Sequence, residues 1–249
     1  MNAPWYFSWV LPVALTVALA GKRVAGSPAR SRQLALACAL AAFSAFGRLS
    51  LLAVADEVGA MPHLEHSAAA AAFYLALAVF GVAFSAAWVK WVDPATLRAA
   101  EGEDAGRRPP KPAVVRVAWG LAGFPPVLAM LPLVAVATGL SVDASFSWPK
   151  LVNALSFGAL LGGVYEELVF RGAVHAELSR VTTSRWALQG TAAAFWATHL
   201  GYLSFDGWGA YYWFVGGMAL VLGVVRERGG LLAAGVLHGG VVTLLVFLT

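Results

Sequence analysis

Long apolar runs separated by short polar segments dominate the chain. A helix needs about 20 mostly apolar residues to cross the hydrocarbon core of a bilayer. Eight segments approach that length, at 4–21, 34–55, 67–89, 117–140, 151–174, 187–204, 211–225 and 231–248. The pattern therefore predicts an all-α, polytopic membrane protein with about eight transmembrane helices. The fourth span carries Pro125, Pro126 and Pro132, which predict a kink or a break within it.

The basic residues of the loops alternate from one loop to the next. In chain order the seven loops hold 4, 0, 6, 1, 2, 0 and 2 Lys or Arg residues, so that 14 of the 17 lie in alternate loops. Cytoplasmic loops carry such an excess of positive charge. The alternation predicts that both termini lie outside (N-out/C-out), and the Ala-, Gly- and Trp-rich composition favours a bacterial inner (plasma) membrane.

The longest loop divides the chain into three parts. Residues 93–116 are charged and Pro-rich, and we expect them to form a cytoplasmic loop. This loop separates transmembrane helices 1–3, within residues 1–92, from helices 4–8, within residues 117–249. The second of these helical parts contains the motifs described below.

The composition excludes several classes of protein. Charged residues make up 12% of the chain, against about 25% in an ordinary soluble domain, and hydrophobic residues make up 60%. A chain of this kind cannot cover itself with a polar surface. We therefore exclude a soluble cytosolic enzyme, a disordered chain and a nucleic-acid binder, and we expect the lipid bilayer to be its solvent.

A few ionisable residues lie inside the predicted spans. A charge at the centre of a membrane helix costs roughly 2.5–3.5 kcal/mol on insertion scales, so each of them needs a reason. Arg48, in the second span, is expected to extend to the outer interface, near Asp56 and Glu57. The others are Glu166, Glu167 and Arg171.

Two of the three charged residues of the fifth span are expected to form an ion pair, and the third, an acid, is expected to lie outside that pair. Glu167 and Arg171 are four residues apart, with the acid first, which favours an ion pair along a helix. Glu166 then remains available, and the small residues Gly162 and Gly163 allow another helix to approach it closely. The alternative is that all three charged residues form one packing network.

Two histidines lie in other spans. His199 lies in the sixth span, one helical turn after Phe195, and His238 lies in the eighth. A carboxylate with two imidazoles can activate water and stabilise an oxyanion, and the same three side chains can also hold a catalytic zinc ion. We expect three further histidines to be solvated or interfacial: His63, His66 and His175.

Together these residues resemble the CPBP family of intramembrane endopeptidases, which includes the CAAX proteases and the bacteriocin-processing (Abi-type) proteins. The family motif EExxxR is matched by Glu166, Glu167 and Arg171, and FxxxH is matched by Phe195 and His199. A third motif, a His followed four residues later by Asn or Asp, is matched only by His238. Val242 stands where the family has the amide or acid.

The resemblance implies a role for each matched residue. Glu166 would act as the general base that activates water, and His199 and His238 would assist it as oxyanion donors or metal ligands. Glu167, Arg171 and Phe195 would shape the site. The resemblance leaves open a glutamate-type mechanism without a metal and a metalloendopeptidase, in which Glu166, His199 and His238 would bind a divalent ion such as Zn²⁺.

Two features of the chain depart from this scheme. Val242 cannot hold an oxyanion, so a backbone N–H or the hydroxyl of Thr243 would have to replace the missing side chain, and Asn153 is too far along its helix. His199 also lies deeper than the other two site residues. We therefore expect the sixth span to begin later, near Gln189, or to be tilted.

Three functions are compatible with the sequence. The one that the motifs favour is proteolysis of a membrane-anchored protein or peptide. A second is a catalytically inactive immunity or scaffold protein of the same fold, which the Val242 departure supports. A third is a small transporter that uses the buried acids and histidines for protons, although the chain shows no inverted repeat.

Overall fold

The computed structural model describes residues 67–92, 111–139, 141–204 and 209–249. Within these ranges the chain is helical and contains no strand, which confirms the all-α class. The first two predicted spans lie outside the described residues, as do Arg48 with its expected acidic neighbours, His63 and His66.

The described helices fall in the region of predicted spans three to eight, with different bounds. They are α1 (Ala68–Val92), α2 (Ala113–Ala122), α3 (Phe124–Leu128), α4 (Leu131–Thr138), α5 (Trp148–Ala154), two π-helices (Leu155–Glu166 and Leu168–Val174), α6 (His175–Val181), α7 (Ser184–Ala197), a 3₁₀ helix (Leu200–Ser204) and α8 (Gly209–Leu248). Helices α2 to α4 replace the fourth span. They bend by 45° between Leu128 and Leu131, which confirms the predicted break at the prolines.

Helix α8 contains the last two predicted spans. Gly230 breaks it with a φ of 77° and a ψ of −173°, a conformation that only glycine adopts at low cost. The halves 209–229 and 231–248 meet at this break, where the predicted loop with Arg226 and Arg228 lies. At 1.5 Å per residue each half is about 30 Å long, close to the thickness of the hydrocarbon core.

Membrane-spanning length can be judged only for the described residues. Among them one helix, Gly209–Leu248, is long and apolar enough to cross a bilayer, and a second candidate is the bent pair Ala113–Leu128 and Leu131–Thr138. Helix Ala68–Val92 is apolar along its first 16 residues. The number of eight spans stays a prediction.

The fifth span has an unexpected helical form. It runs without interruption from α5 through both π-helices to α6, and its hydrogen bonds between 155 and 174 follow the wider π pattern rather than the predicted α pattern. Glu167 joins the two π-helices. Such wide turns are rare and occur frequently at functional sites.

The sixth span is shorter than predicted. The expected start near Gln189 is wrong, because α7 begins at Ser184 and ends at Ala197. The Thr198 hydroxyl donates to the Phe195 carbonyl, and the His199 N–H donates to the Trp196 carbonyl, so the chain tightens into a 3₁₀ turn. His199 therefore lies in a turn at the end of α7 and not within a helix.

Glycines allow the first π-helix to contact the second half of α8 almost backbone to backbone. A Cβ on Gly163 would lie 2.9 Å from both the Gly235 carbonyl oxygen and the Gly239 Cα. A Cβ on Gly158 would lie 2.3 Å from the Thr243 nitrogen. The predicted close approach at Gly163 is thus present, and it places His238 against the helix that carries the two glutamates.

The described parts of three basic segments, around 111–116, 184 and 227–229, contact one another at one end of the helices. The Lys111 ammonium donates to the Arg228 carbonyl, and the Arg116 Nε donates to the Gly229 carbonyl at 3.3 Å. The Ser184 hydroxyl donates to the Glu227 carboxylate. These contacts join segments that the charge alternation assigns to one side of the membrane.

The segment before α5 is tied to the other end of the helices. The Asp143 N–H donates to the Leu248 carbonyl at 2.7 Å, and the Asp143 side chain accepts from the Ser145 N–H and hydroxyl and from the buried Lys150. The Ser145 groups, with Lys150, hold the pKa of Asp143 at about 2, below its ordinary value of 3.8.

Gly163→Ala should destabilise the protein by about 1–3 kcal/mol, because neither backbone atom in contact with the new methyl group can move aside. Thermal unfolding in detergent should show a lower midpoint. Gly209→Ala is the matched control, since its methyl group would meet only the end of the Leu203 side chain at 4.0 Å. Equal midpoints for Gly163→Ala and the wild type would contradict the close helix contact.

Asp143→Asn should lower the unfolding midpoint in a pH-dependent way. A carboxyl group whose pKa is lowered on folding stabilises the protein above its unfolded pKa, and this contribution disappears as the pH falls through the folded pKa. The difference between variant and wild type should therefore be full above pH 4 and vanish towards pH 2. A difference that is independent of pH would refute the assigned contacts.

Candidate active site

Glu167 joins two helices through one oxygen atom. Its Oε1 accepts a hydrogen bond from Arg171 Nη1 at 2.9 Å and lies 2.7 Å from His238 Nδ1. The three side chains are at most 3% exposed. The predicted Glu167–Arg171 pair is therefore present. Because a carboxylate paired with Arg can only accept, His238 Nδ1 must carry the proton and donate it.

Glu166 lies on the other side of the same imidazole. Its Oε2 is 3.7 Å from His238 Nε2, and the residue is 9% exposed. Gly162 makes room for the ring, since a Cβ there would lie 3.4 Å from His238 Nε2. His238 therefore lies between two carboxylates, an arrangement that the separate positions in the sequence did not indicate.

Arg171 is fully buried and is held from three directions. Besides Glu167, its guanidinium lies 4.3 Å above the Phe195 ring, and its Nη2 donates to the Ala219 carbonyl at 3.4 Å. A charged group that loses its water needs such partners, and an aromatic face supplies part of the compensation. Nothing in the sequence singled out Ala219, because it contributes only a backbone oxygen.

The Phe195 ring brings the two histidines together. Its centroid lies 4.6 Å from that of His199 and 5.4 Å from that of His238. His199 Nδ1 donates to the Phe195 carbonyl at 2.9 Å, and Tyr202 stacks on the other side of the His199 ring at 5.9 Å. The FxxxH spacing thus fixes the orientation of His199 through both the ring and the backbone of one residue.

The structure therefore gathers all six residues that the motifs identified: Glu166, Glu167, Arg171, Phe195, His199 and His238. In both histidines Nδ1 is bound to an acceptor, so each ring is held in one orientation with Nε2 directed away from that acceptor. A carboxylate and imidazole nitrogens held in this way can accept a proton from water and can stabilise negative charge.

The metal-binding set of Glu166, His199 and His238 stays a prediction. Among the described residues, no group of three His, Cys, Asp or Glu side chains converges closely enough to bind one ion. His238 uses Nδ1 on Glu167 and His199 uses Nδ1 on a carbonyl, so Glu166, His199 and His238 would have to offer one oxygen and two Nε2 atoms.

His175 is not solvated or interfacial, as the sequence suggested. It is 2% exposed, and its Nδ1 has no hydrogen-bond partner among the residues that the structure describes. The helix does not end at the predicted span boundary but continues as α6 to Val181, and α6 packs against α7.

The residues near the missing Asn or Asp lie apart from Glu166. Val242 packs in an apolar group with Ala154 and Val246. Thr243 lies beside Gly158, which is eight residues before Glu166 and on the far side of Gly162. The Thr243 hydroxyl is therefore not placed to replace the missing side chain beside Glu166, and Asn153 is buried still earlier on the same helix.

Arg171→Met should destabilise the protein by about 3–5 kcal/mol, because it leaves the Glu167 carboxylate buried without its cation. The double variant Glu167→Gln/Arg171→Met should recover a large part of this loss, since it buries no charge. The measurement is thermal unfolding in detergent, with the exposed Arg185→Met as control. Additive effects of the two substitutions would contradict a buried ion pair.

Comparisons with known proteins identify the region that contains these residues. Residues 147–244 match the model of the family described as type II CAAX prenyl endopeptidase, Rce1-like. No curated protein and no solved structure matches the chain. The matched region spans roughly two fifths of the chain and contains every residue of the three motifs. The match confirms, for this part of the chain, the resemblance to the CPBP family of CAAX-protease-like membrane proteins that the motifs indicate.

Proposed function

We propose that this protein is an intramembrane endopeptidase that hydrolyses a peptide bond in a membrane-anchored protein or peptide. One observation carries the proposal. The Glu166 carboxylate faces the Nε2 of His238, whose Nδ1 is fixed by a second carboxylate that an Arg already neutralises. The family match adds the reaction class.

The spacing of Glu166 and His238 suits a water molecule. The 3.7 Å between Glu166 Oε2 and His238 Nε2 is longer than a direct hydrogen bond, and a water beside both atoms would bridge them. Glu166 takes a proton from this water as its oxygen attacks the carbonyl carbon of the substrate. The same proton then passes to the nitrogen of the leaving amine as the peptide bond breaks.

The charges of the cluster favour a protonated His238. Glu166 and Glu167 together carry two negative charges, and Arg171 supplies one positive charge. A proton on His238 makes the buried group neutral, which avoids the cost of an unpaired charge in a medium of low dielectric constant. His238 Nε2–H can then donate to the oxyanion of the tetrahedral intermediate, where hydrogen bonds are most effective.

His199 is assigned to the substrate side of the cluster. Its Nδ1–H donates to the Phe195 carbonyl, which fixes the orientation of the ring and leaves the lone pair of the imidazole on Nε2. We assign it to hold the attacking water together with Glu166. Phe195 and Glu167 touch the histidines and not the substrate, so they act as positioning residues.

The substrate is expected to be cut near the basic end of the helices. The Arg171 carbonyl accepts a hydrogen bond from Arg226 Nε at 3.3 Å, so the site lies about one turn from the segment that carries Arg226 and Arg228. If that segment is cytoplasmic, as the charge alternation predicts, the cleaved bond lies close to the inner membrane surface. A tethered protein or peptide, prenylated or anchored by its own helix, fits this position.

Glu166→Gln should lower kcat for a membrane-tethered peptide by about 10²–10⁴, with little change in KM, because it removes the base and keeps the shape. Liposomes that contain purified protein and a prenylated CAAX-type peptide, or a peptide fused to a membrane helix, supply the assay. The matched control is Glu227→Gln, which changes an exposed carboxylate that accepts a hydrogen bond from the Ser184 hydroxyl. Full cleavage by Glu166→Gln would contradict the mechanism.

An inactive scaffold of the same fold is the second candidate, and the packing of Val242 favours it. This side chain fills an apolar group where the family has a polar one. If the wild type cleaves no tethered substrate and Val242→Asn does, the chain is a binding protein. Cleavage by the wild type that Val242→Asn increases severalfold would favour the enzyme.

A further inference from the structure

A long apolar groove lies on the lipid-facing side of the contact between the first π-helix and α8. Its volume is about 790 Å³, and it follows α8 from Leu231 to Phe247. The sixteen steps of 1.5 Å between these two residues correspond to a length of about 24 Å. Its walls are glycine backbone and apolar side chains, with the Thr243 hydroxyl as the polar exception in the lining. None of the six residues of the candidate active site lines it.

A group of basic side chains surrounds one indole at the start of this groove. The Arg228 guanidinium lies 5.1 Å from the Trp119 ring centre, and the Lys111 ammonium lies 6.0 Å from it. Lys111 also donates to the Arg228 carbonyl, and Arg116 donates to the carbonyl of the next residue, Gly229. We call these residues, Lys111, Arg116, Trp119 and Arg228, the Trp119 cluster.

The Trp119 cluster concentrates positive charge. Lys111 and Arg228 are both exposed, yet the hydrogen bond and the shared indole hold them close together. The three cations of the cluster outnumber Glu227, the adjacent acid along the chain, whose carboxylate accepts from the Ser184 hydroxyl. Like charges held together repel each other, so an anion between them would be bound favourably.

The Trp119 cluster and the groove are continuous. Arg228 is three residues before Leu231, the first residue of α8 that lines the groove. Helix α2 runs along the same part of α8, because a Cβ on Gly120 would lie 2.7 Å from the Ala233 carbonyl. A Trp with Lys and Arg at the end of apolar helices is typical of the level of lipid headgroups. The groove extends from there into the level of the acyl chains.

We propose that this surface binds one anionic phospholipid, with its phosphate at the Trp119 cluster and one acyl chain in the groove. Charge complementarity selects the headgroup, and the length and apolar lining of the groove select the chain. The lipid site is separate from the candidate active site. Lipid binding can therefore be tested independently of proteolytic activity. Bound lipid would hold α2 against the break at Gly230.

The test is lipid-dependent thermal stability of the full-length protein in a neutral detergent. Phosphatidylglycerol should raise the unfolding midpoint, whereas phosphatidylcholine and inorganic phosphate should have little effect. The double variant Lys111→Gln/Arg228→Gln should need about 25-fold more phosphatidylglycerol for half the shift, at about fivefold for each cation removed. Arg185→Gln, an exposed basic residue outside the cluster, should respond as the wild type does.

The groove is tested separately. Leu232→Trp should fill its beginning and weaken the phosphatidylglycerol effect, whereas Leu220→Trp, on the exposed side of the first half of α8, should not. The midpoint of each variant without lipid shows that it folds. Equal shifts with phosphatidylcholine or an uncharged isoprenoid alcohol would overturn the proposal, and so would an unchanged response of the double cation variant. Cleavage assays report on the proposed function independently.

Discussion

The structure depends on how a few charges are held inside an apolar helical protein. One oxygen of Glu167 accepts from Arg171 on its own helix and from His238 on another. A buried carboxylate with only one of these partners would be costly, and the pair of contacts fixes the relative rotation of the two helices. The position of His238 against Glu166 follows from that constraint. The same charges that the membrane disfavours thus define the geometry of the site.

Backbone contact is the second requirement. His238 can reach the two glutamates only because the helices approach at Gly163, Gly235 and Gly239. In lipid there is little hydrophobic force between helices, so close packing of small residues is what holds them together. Arg171 adds a third contact, because the Phe195 ring beneath its guanidinium also touches both histidines. Three separate spans therefore converge on one group of polar atoms.

Much of this could be predicted from the sequence. The apolar runs gave the helices and their order, the prolines gave the break in the fourth span, and the i,i+4 spacing gave the Glu167–Arg171 pair. Each of these features depends on residues that are close together in the sequence, so the sequence alone predicts it. The contact between Glu167 and His238 joins residues 71 positions apart, and only the glycines near each of them hinted at it.

Other features had no local signal. The sequence of residues 155–174 does not predict π-helical hydrogen bonds. The segment is apolar on nearly every side, so no hydrophobic periodicity distinguishes a π-helix from an α-helix. The end of α7 at Ala197 depends on the Thr198 hydroxyl and on the turn that follows, and boundary rules place it poorly. His175 was misjudged because the predicted span ended just before it, whereas the helix continues through it as α6 and the residue is buried.

The state of His238 tests the central claim most directly. Nitrogen-15 NMR of histidine-labelled protein should show a proton on His238 Nδ1, with a resonance that moves strongly in Glu167→Gln. That result would place the imidazole in the hydrogen bond on which the arrangement depends. A His238 that is protonated only on Nε2, or whose Nδ1 resonance is unchanged in Glu167→Gln, would contradict it.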